Sequence, residues 1–327
     1  MKTIDIYGTM GPACYQVNLL KAMFDVGMTG MRINLSHKDL DQCEEWITCF
    51  HQAGQMAHIQ PKLLIDMQGP ELRVGHLEQE LVLLEEDTID CSLFALPSII
   101  TSYLKKGQEI LLDDGKLCIE MIDEQHAKVI RGGILRSNKS ISLKNCTVDT
   151  PTLTPNDLKN LSIAKNYGVT GIMQPFVRNA KDLITLRSMM NQYGLQDCQI
   201  LAKIENLDGI HQLESLMPYC DEIIIARGDL GNAVGLTHLP SVQKYIESIC
   251  KAHHKPYMVV TEMLHSMQHV AVPTRAEVSD IYHAIYHGAH SIMLTGETAV
   301  GNYPLEAMTY FVQTAKCALE DLEKGDI

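Results

Sequence analysis

Short runs of apolar residues, each ending in a polar residue or glycine, recur along this 327-residue chain. Strands buried on both faces of a sheet are apolar without alternation, so these runs indicate parallel strands. The predicted strands cover residues 4–7, 30–34, 62–66, 171–174, 200–203, 223–226, 257–261 and 291–295. Amphipathic segments separate most of them, and the clearest are 17–26, 182–193 and 241–253. About eight βα units predict an α/β fold, a (β/α)8 TIM barrel with its site at the C-terminal ends of the strands.

The regular spacing breaks once, between Arg73 and about Asp149. Here apolar and polar residues alternate, as in 108–115 and 119–122, and glycine pairs indicate turns. We therefore predict a small β-barrel lid domain, residues 73–149, inserted after the third strand, with residues 1–72 and 150–327 forming the TIM barrel. A lid at that place would cover the barrel mouth and exclude water. Two unrelated domains in tandem are the alternative, but the barrel pattern resumes at Gly168.

Composition restricts the classes of partner. A hydrophobic content of 46% is enough for a full core, and a net charge of -13 argues against a nucleic-acid or anionic-membrane surface. An anionic substrate must therefore meet a local basic cluster. The ten cysteines form no C-x-x-C pair, which argues against a zinc site or a disulfide framework. The N-terminus lacks the apolar core of a signal peptide, so we expect a cytoplasmic protein.

Candidate chemistry lies at two neighbouring strand ends. Lys203 and Glu205 close one predicted strand, and Asp229 follows the next. Two carboxylates can hold Mg²⁺ while water and substrate fill its other positions, and a fixed ammonium can stabilise developing negative charge. This combination predicts a phosphoryl-transfer site; the alternative is an ion pair at the barrel rim.

Seven segments, taken in order, resemble the pyruvate kinase family, and the resemblance covers nearly the whole chain. They are MRINLSH (31–37), DMQGPELR (66–73), KIEN (203–206), ARGDLG (226–231), TEMLHSM (261–267), PTRAEVSD (273–280) and LTGETA (294–299). Any one alone would be a weak signal. The resemblance implies transfer of a phosphoryl group from phosphoenolpyruvate to ADP in glycolysis, which gives ATP and an enolate that is protonated to pyruvate.

The resemblance also implies roles for individual residues. Glu205 and Asp229 would hold Mg²⁺ or Mn²⁺, and Lys203 would stabilise the phosphoryl group. Arg32 would face the transferred phosphoryl group, and Thr261 would relay a proton to the enolate. The substrate pocket would comprise Arg32, Gly228, Asp229 and Thr261.

Further implied roles concern the nucleotide and a monovalent cation. Arg73, His37 and Lys139 would contact the nucleotide, although a structural histidine and a solvated loop lysine are the alternatives for the last two. K⁺ would be bound by Asn34, Ser36, Asp66 and the backbone carbonyl of Met67; the alternative is an ordinary hydrogen-bonded rim. Glu71 matches the acidic residue of potassium-dependent members.

Several positions beside these motifs depart from the family's usual residues, and they include Gln68, Pro175, Ala233, Glu262, His265 and His283. Glu262 would add negative charge beside Thr261 and oppose enolate formation. The sequence also ends at Ile327, where typical members of the family continue into a C-terminal regulatory domain. We therefore expect no effector control through such a domain, and a homodimer formed through the barrel.

Two other readings remain open. The chain could be a catalytically weak paralogue that binds phosphoenolpyruvate or nucleotide in a regulatory or scaffolding role. It could also be a related barrel that acts on phosphoenolpyruvate or oxaloacetate through a metal-stabilised enolate, without ADP.

Overall fold

The computed structural model describes residues 4–113, 115–144, 146 and 148–324. The strands are β1 (Asp5–Thr9), β2 (Gly30–Asn34), β3 (Lys62–Asp66), β4 (Leu72–Arg73), β5 (Leu81–Leu83), β6 (Thr88–Asp90), β7 (Glu109–Leu112), β8 (Leu117–Met121), β9 (His126–Arg131), β10 (Gly133–Leu135), β11 (Ser140–Leu143), β12 (Gly171–Gln174), β13 (Gln199–Ile204), β14 (Glu222–Ala226), β15 (Tyr257–Val260) and β16 (Ser291–Met293). The α-helices are α1 (Val17–Val26), α2 (Glu44–Met56), α3 (Pro155–Ala164), α4 (Ala180–Gln192), α5 (Leu207–His211), α6 (Leu213–Leu216), α7 (Arg227–Val234), α8 (Leu239–Ala252), α9 (Arg275–Tyr286), α10 (Gly296–Ala299) and α11 (Pro304–Lys324).

Eight of the strands close a parallel barrel, and this confirms the predicted TIM-barrel fold. Around the barrel their order is β1, β2, β3, β12, β13, β14, β15 and β16. The barrel closes between its first and last strands, where Tyr7 pairs with Met293. One apolar cluster fills the barrel interior, and a larger one lies between the strands and the surrounding helices.

The alternation of side chains along each strand carries polar groups into the barrel mouth. Leu64 and Leu201 belong to the interior cluster. Successive side chains of a strand point to opposite faces, so Asp66 and Lys203, two residues further along β3 and β13, point inward as well. The inward-facing positions thus change from apolar to charged at the C-terminal ends of the strands.

The described residues between 72 and 148 leave the barrel pattern and form an antiparallel unit, called the insert below. Six of its strands form one sheet in the order β4, β11, β7, β8, β9, β6, and β10 pairs with β5 in a two-stranded ribbon. The insert buries its own apolar cluster, with Ile110, Ile119 and Val129 fully buried. Its first strand begins at Leu72, and Arg73 therefore lies in the insert, not on a barrel strand.

Within the described residues, no helix combines the length and the apolar character that a membrane crossing requires.

Candidate active site

A buried network of charged side chains lies at the barrel mouth. Asp66 accepts hydrogen bonds from Arg32 Nη1 at 3.1 Å and from Lys203 Nζ at 3.1 and 3.2 Å. Lys203 Nζ also lies 3.0 Å from Glu205 Oε1. The second oxygen of Glu205 accepts the backbone N–H of Phe176 at 2.8 Å. One carboxylate therefore holds two cations together, and a second carboxylate is fixed by the same lysine.

The network keeps the lysine charged. Burial alone would lower the pKa of Lys203, but the carboxylates of Asp66 and Glu205 outweigh burial, and its pKa is raised above the ordinary value. Burial raises the pKa of Glu205, against the opposing effects of Lys203 and the Phe176 N–H. A permanently charged, buried ammonium is suited to an anionic ligand.

The guanidinium of Arg32 has one N–H donor without an acceptor among the described residues. Arg32 is 8% exposed, and its buried Nε finds no hydrogen-bond acceptor among the described residues. A buried N–H without an acceptor costs free energy, and charged donors cost the most. An anionic oxygen at this position would remove that cost.

Gly228 and Asp229 belong to the first turn of α7, directly after β14. Helix N-termini present free N–H groups and favour anions. Asp229 lines a cavity of about 1390 Å³ together with Arg32, Lys203 and Glu205, and insert residues form part of its wall. The structure thus brings both predicted magnesium ligands to one cavity.

The donor set fits Mg²⁺. Glu205 and Asp229 supply hard carboxylate oxygens, and magnesium commonly takes one or two carboxylates and fills its remaining positions with water and substrate. Among the described residues, no group of three or more His, Cys, Asp or Glu side chains is arranged to hold a metal ion. A two-carboxylate site is compatible with that finding.

Thr261 directly follows β15 and lines the same cavity. Its φ is 80° and that of Glu262 is 56°, which is unusual for residues other than glycine and most unusual for a β-branched one. Its methyl group lies 3.2 Å from the place where a Cβ on Gly228 would be. Glycine at position 228 therefore permits the close approach of Thr261 to α7.

A smaller cavity of about 280 Å³ adjoins the larger one, and its walls include Asn34, Asp66, Lys203 and Asp229 as the larger one's do. The smaller cavity is also lined by predicted site residues that the larger one lacks, and they are Ser36, His37, Met67, Arg73 and Lys139. All four proposed potassium ligands thus meet at one cavity, as do all three proposed nucleotide contacts. Oxygen donors are the ligands that hard cations prefer, so the set fits a monovalent cation.

Some of these groups already have partners. Asn34 Oδ1 accepts the N–H of Ser36 at 3.0 Å. Arg73 Nη2 donates to Glu71 Oε2 at 2.6 Å, and burial raises the pKa of Glu71 despite this arginine. Lys139 Nζ lies 2.8 Å from Asp113 Oδ1 within the insert. Arg73 and Lys139 must exchange or share these partners to bind a nucleotide.

Comparison with known proteins identifies the family. The model of the pyruvate kinase barrel domain matches residues 1–308. The chain belongs to the pyruvate kinase family. It is 32% identical to a pyruvate kinase of Geobacillus stearothermophilus, with 98% of this chain and 57% of that protein covered. It is also 32% identical to a pyruvate kinase of Thermotoga maritima, with 99% of this chain and 72% of that protein covered. The chain thus spans little more than half the length of the Geobacillus relative.

Six positions that the sequence analysis interprets as departures from the family pattern lie at the walls of the two cavities. Gln68 and Pro175 line the smaller cavity. Those that line the larger cavity are Ala233, Glu262, His265 and His283. The positions that the sequence analysis interprets as departures therefore lie at the candidate site.

Sequence reasoning missed two residues that position this candidate site. Asp157 is fully buried and accepts the N–H groups of Gln68 at 2.9 Å and Gly69 at 3.1 Å, which fixes the loop after β3. Its signal was present, because Asp157 also completes the capping box of α3 with Thr154. Arg227 enters the sequence analysis only as part of the segment ARGDLG, and its contacts become visible only in three dimensions.

Proposed function

We propose that this chain catalyses the transfer of a phosphoryl group from phosphoenolpyruvate to ADP, giving pyruvate and ATP. The observation that carries the proposal is the buried pair of Arg32 and Lys203, held together by Asp66 beside Glu205, with Arg32 Nε lacking an acceptor among the described residues. Such a pair suits a phosphoryl group, whose charge is spread over three oxygens during transfer. Family membership supports the same activity.

In this mechanism the protein mainly positions charge. The ammonium of Lys203 and the guanidinium of Arg32 contact oxygens of the transferring group, and the N–H groups that begin α7 at Gly228 face the substrate carboxylate. Arg73, His37 and Lys139 hold the phosphates of the nucleotide. Closure of the insert over the barrel mouth would exclude water from these contacts.

Two cations complete the proposed site. Glu205 and Asp229 would hold Mg²⁺ or Mn²⁺; the K⁺ ligands would be Asn34, Ser36, Asp66 and the carbonyl of Met67. When bound, the divalent ion supplies Lewis-acid stabilisation of phosphoryl and enolate oxygens. Thr261 then orients or relays a solvent proton to the enolate carbon, since its hydroxyl has no acidic pKa of its own.

The test is formation of pyruvate and ATP from phosphoenolpyruvate and ADP, with Mg²⁺, in the presence and absence of K⁺. Wild type and Lys203→Met are compared with Lys62→Met as a matched control. Lys62 also lies on a barrel strand and pairs with an aspartate, but it stands at the opposite end of the barrel, with 41% of its side chain exposed. We expect K⁺-stimulated turnover in wild type and Lys62→Met, and its loss in Lys203→Met.

A second measurement tests the metal ligands without relying on turnover. Electron paramagnetic resonance of Mn²⁺ reports binding directly, and Glu205→Gln should weaken it by removing one of two anionic ligands. A folded wild type with Mn²⁺ binding but no turnover would reject the kinase reaction. That outcome would favour the catalytically weak, ligand-binding paralogue.

We also propose that the chain forms a homodimer through the barrel surface. The loop 265–273 and the turn after α10 lie together, since Asn302 N–H donates to Gln268 O at 2.9 Å. They expose Val270, Val272 and Val300, with 49%, 63% and 62% of their surfaces accessible. Exposed apolar clusters commonly mark interfaces. Sedimentation equilibrium giving a monomer at micromolar concentration would reject this proposal.

A further inference from the structure

Arg227 joins two neighbouring βα units at the barrel mouth. Its Nε and Nη2 both donate to the backbone carbonyl of Thr261, at 3.2 and 2.8 Å. Its Nη1 lies 2.7 Å from a carboxylate oxygen of Asp280 on α9. Only 12% of the arginine side chain is exposed. The start of α7, the end of β15 and helix α9 are therefore tied by one guanidinium.

The carbonyl that Arg227 holds belongs to a strained segment. Thr261 and Glu262 both have positive φ values, 80° and 56°. Non-glycine residues in such conformations are destabilising and persist only where surrounding contacts fix them. Two charge-assisted hydrogen bonds to one carbonyl fix the orientation of the peptide that links the two residues. Among the described residues, these are the side-chain hydrogen bonds found at the Thr261 carbonyl.

The backbone orientation at Thr261 decides where its side chain points. Threonine has one side-chain torsion, and its methyl group already packs against the first turn of α7 at Gly228. A change in the backbone at Thr261 would therefore move this side chain, which lines the larger cavity. Arg227 and Asp280 also line the larger cavity. The guanidinium of Arg227 contacts the backbone carbonyl of Thr261 itself, so it fixes the backbone that carries the Thr261 side chain.

We propose that Arg227, held by Asp280, is the positioning residue that keeps the Thr261 hydroxyl aligned for proton transfer to the enolate. This rests on the proposed function. In the step concerned, a C–H bond forms at the terminal carbon of enolpyruvate with the electron pair of its C=C bond. The enolate oxygen becomes the ketone oxygen, and solvent supplies the proton by way of the Thr261 hydroxyl.

Thr261 transfers no proton in the phosphoryl-transfer step of this scheme, so the two steps should respond differently to loss of Arg227. The reverse of the protonation step can be followed separately, as exchange of the methyl hydrogens of pyruvate with D₂O by NMR, with Mg²⁺ and K⁺ present. Phosphoryl transfer is followed as ATP formation from phosphoenolpyruvate and ADP.

The variants are Arg227→Met, Arg227→Lys and Asp280→Asn. We expect Arg227→Met to slow exchange by about tenfold to a hundredfold, since small displacements of a reacting group have effects of this size. ATP formation and the KM for phosphoenolpyruvate should change much less. Arg227→Lys should not restore exchange, because an ammonium cannot donate to the carbonyl through two fixed N–H groups and also hold Asp280. Asp280→Asn should give an intermediate loss.

Arg187→Met is the matched control. Arg187 also donates to a backbone carbonyl, that of Cys198 at 3.1 Å, and pairs with Asp221 at 3.3 Å, but it lies on the outside of the barrel. It should leave the ratio of exchange to ATP formation unchanged. If Arg227→Met lowers both activities equally and in proportion to the folded fraction, the arginine is merely structural and the proposal is wrong.

Failure of this proposal and of the kinase reaction can be told apart. Wild type that forms no ATP rejects the kinase reaction, while pyruvate exchange, which needs no ADP, still tests the role of Arg227. Wild type that forms ATP but shows no exchange overturns the positioning role, because there would be no proton transfer for Arg227 to support.

Discussion

Replacement of Asp182 by asparagine should be among the most destabilising single changes outside the candidate site. Asp182 lies in the first turn of α4 with only 6% of its side chain exposed. Its carboxylate accepts four hydrogen bonds, three from the backbone N, Nε and Nη2 of Arg178 and one from the hydroxyl of Thr152. Arg178 in turn donates to the carbonyl of Thr150 at 2.8 Å, where the chain returns from the insert.

The geometry sets the size of the effect. An asparagine can keep its carbonyl oxygen on Thr152 Oγ1 and Arg178 Nη2, but its NH₂ group then faces two further donors of Arg178. Two hydrogen bonds to a charged group are lost, at about 1.5–3 kcal/mol each. That agrees with the roughly 3–5 kcal/mol measured when a buried ion pair loses one partner. We expect Asp182→Asn to lower the free energy of unfolding by about this amount at pH 7.

The loss of unfolding free energy caused by Asp182→Asn should depend on pH. Burial opposes ionisation of Asp182, but the hydrogen bonds from Arg178 and Thr152 outweigh it, and its pKa is lowered from the ordinary value of 3.8. A lowered pKa in the folded state stabilises the protein above the unfolded-state pKa, and this stability is lost as the pH falls through the folded-state pKa. The difference between wild type and Asp182→Asn should therefore narrow below about pH 4.

Urea unfolding followed by circular dichroism at pH 7, 5 and 3.5 measures these differences. The matched control is Asp25→Asn, because Lys21 and Asp25 form the same i,i+4 type of pair on α1 with 33% and 52% of their side chains exposed. That control should cost only about 0.3–0.5 kcal/mol. A loss below about 1 kcal/mol for Asp182→Asn at pH 7, or one that does not narrow in acid, would refute the reasoning.

Two further predictions concern loops of the barrel and the insert. Gly69 has a φ of 61°, and a Cβ there would lie 2.4 Å from Pro175 Cγ, whereas Gly107 has a φ of 82° with nothing within 4 Å. Gly69→Ala should therefore destabilise the chain more than Gly107→Ala, by about 1–3 kcal/mol in urea unfolding, and equal losses would argue against the clash. Burial opposes ionisation of Glu277, but hydrogen bonds from Ser266 and Thr274 lower its pKa below 4.5. Ionised Glu277 therefore stabilises the folded state above about pH 4.5, and this stabilisation is lost as the pH falls through its lowered pKa. The melting temperatures of wild type and Glu277→Gln should thus converge toward pH 3, and a constant difference between them would contradict this.

The barrel could be predicted from sequence because its signals are local. Apolar runs mark its strands, and α1 spans the predicted residues 17–26. The ends of two other helices were less accurate. The structure begins α4 at Ala180 and α8 at Leu239, two residues earlier than predicted. Asn179 caps α4 through its side chain, and Pro240 lies in the first turn of α8, and such capping signals extend a helix beyond its amphipathic stripe.

The candidate site was predictable only in part, for a physical reason. Residues that end strands are brought together by the barrel itself, so Lys203 and Asp66 could be expected to meet although 137 positions separate them. The contacts of Arg227 with Thr261 and Asp280 depend on side-chain rotamers and on an unusual backbone conformation. No periodicity in the sequence encodes either property, so these contacts required coordinates.

The charges of the site explain why added cations should control substrate binding. Arg32 and Lys203 are outnumbered by the carboxylates of Asp66, Glu205 and Asp229, so the ionised cluster is negative within a chain of net charge -13. Phosphoenolpyruvate is itself an anion, and like charges about 4 Å apart repel by about 4 kcal/mol at an effective dielectric constant near 20. Binding of Mg²⁺ and K⁺ would reverse the sign of the cluster. We therefore expect calorimetric titration with phosphoenolpyruvate to give little binding in EDTA without K⁺, and clear binding once both ions are added. Equal affinity under the two conditions would mean that Arg32 and Lys203 suffice, and that the carboxylates serve to hold these cations and not a metal.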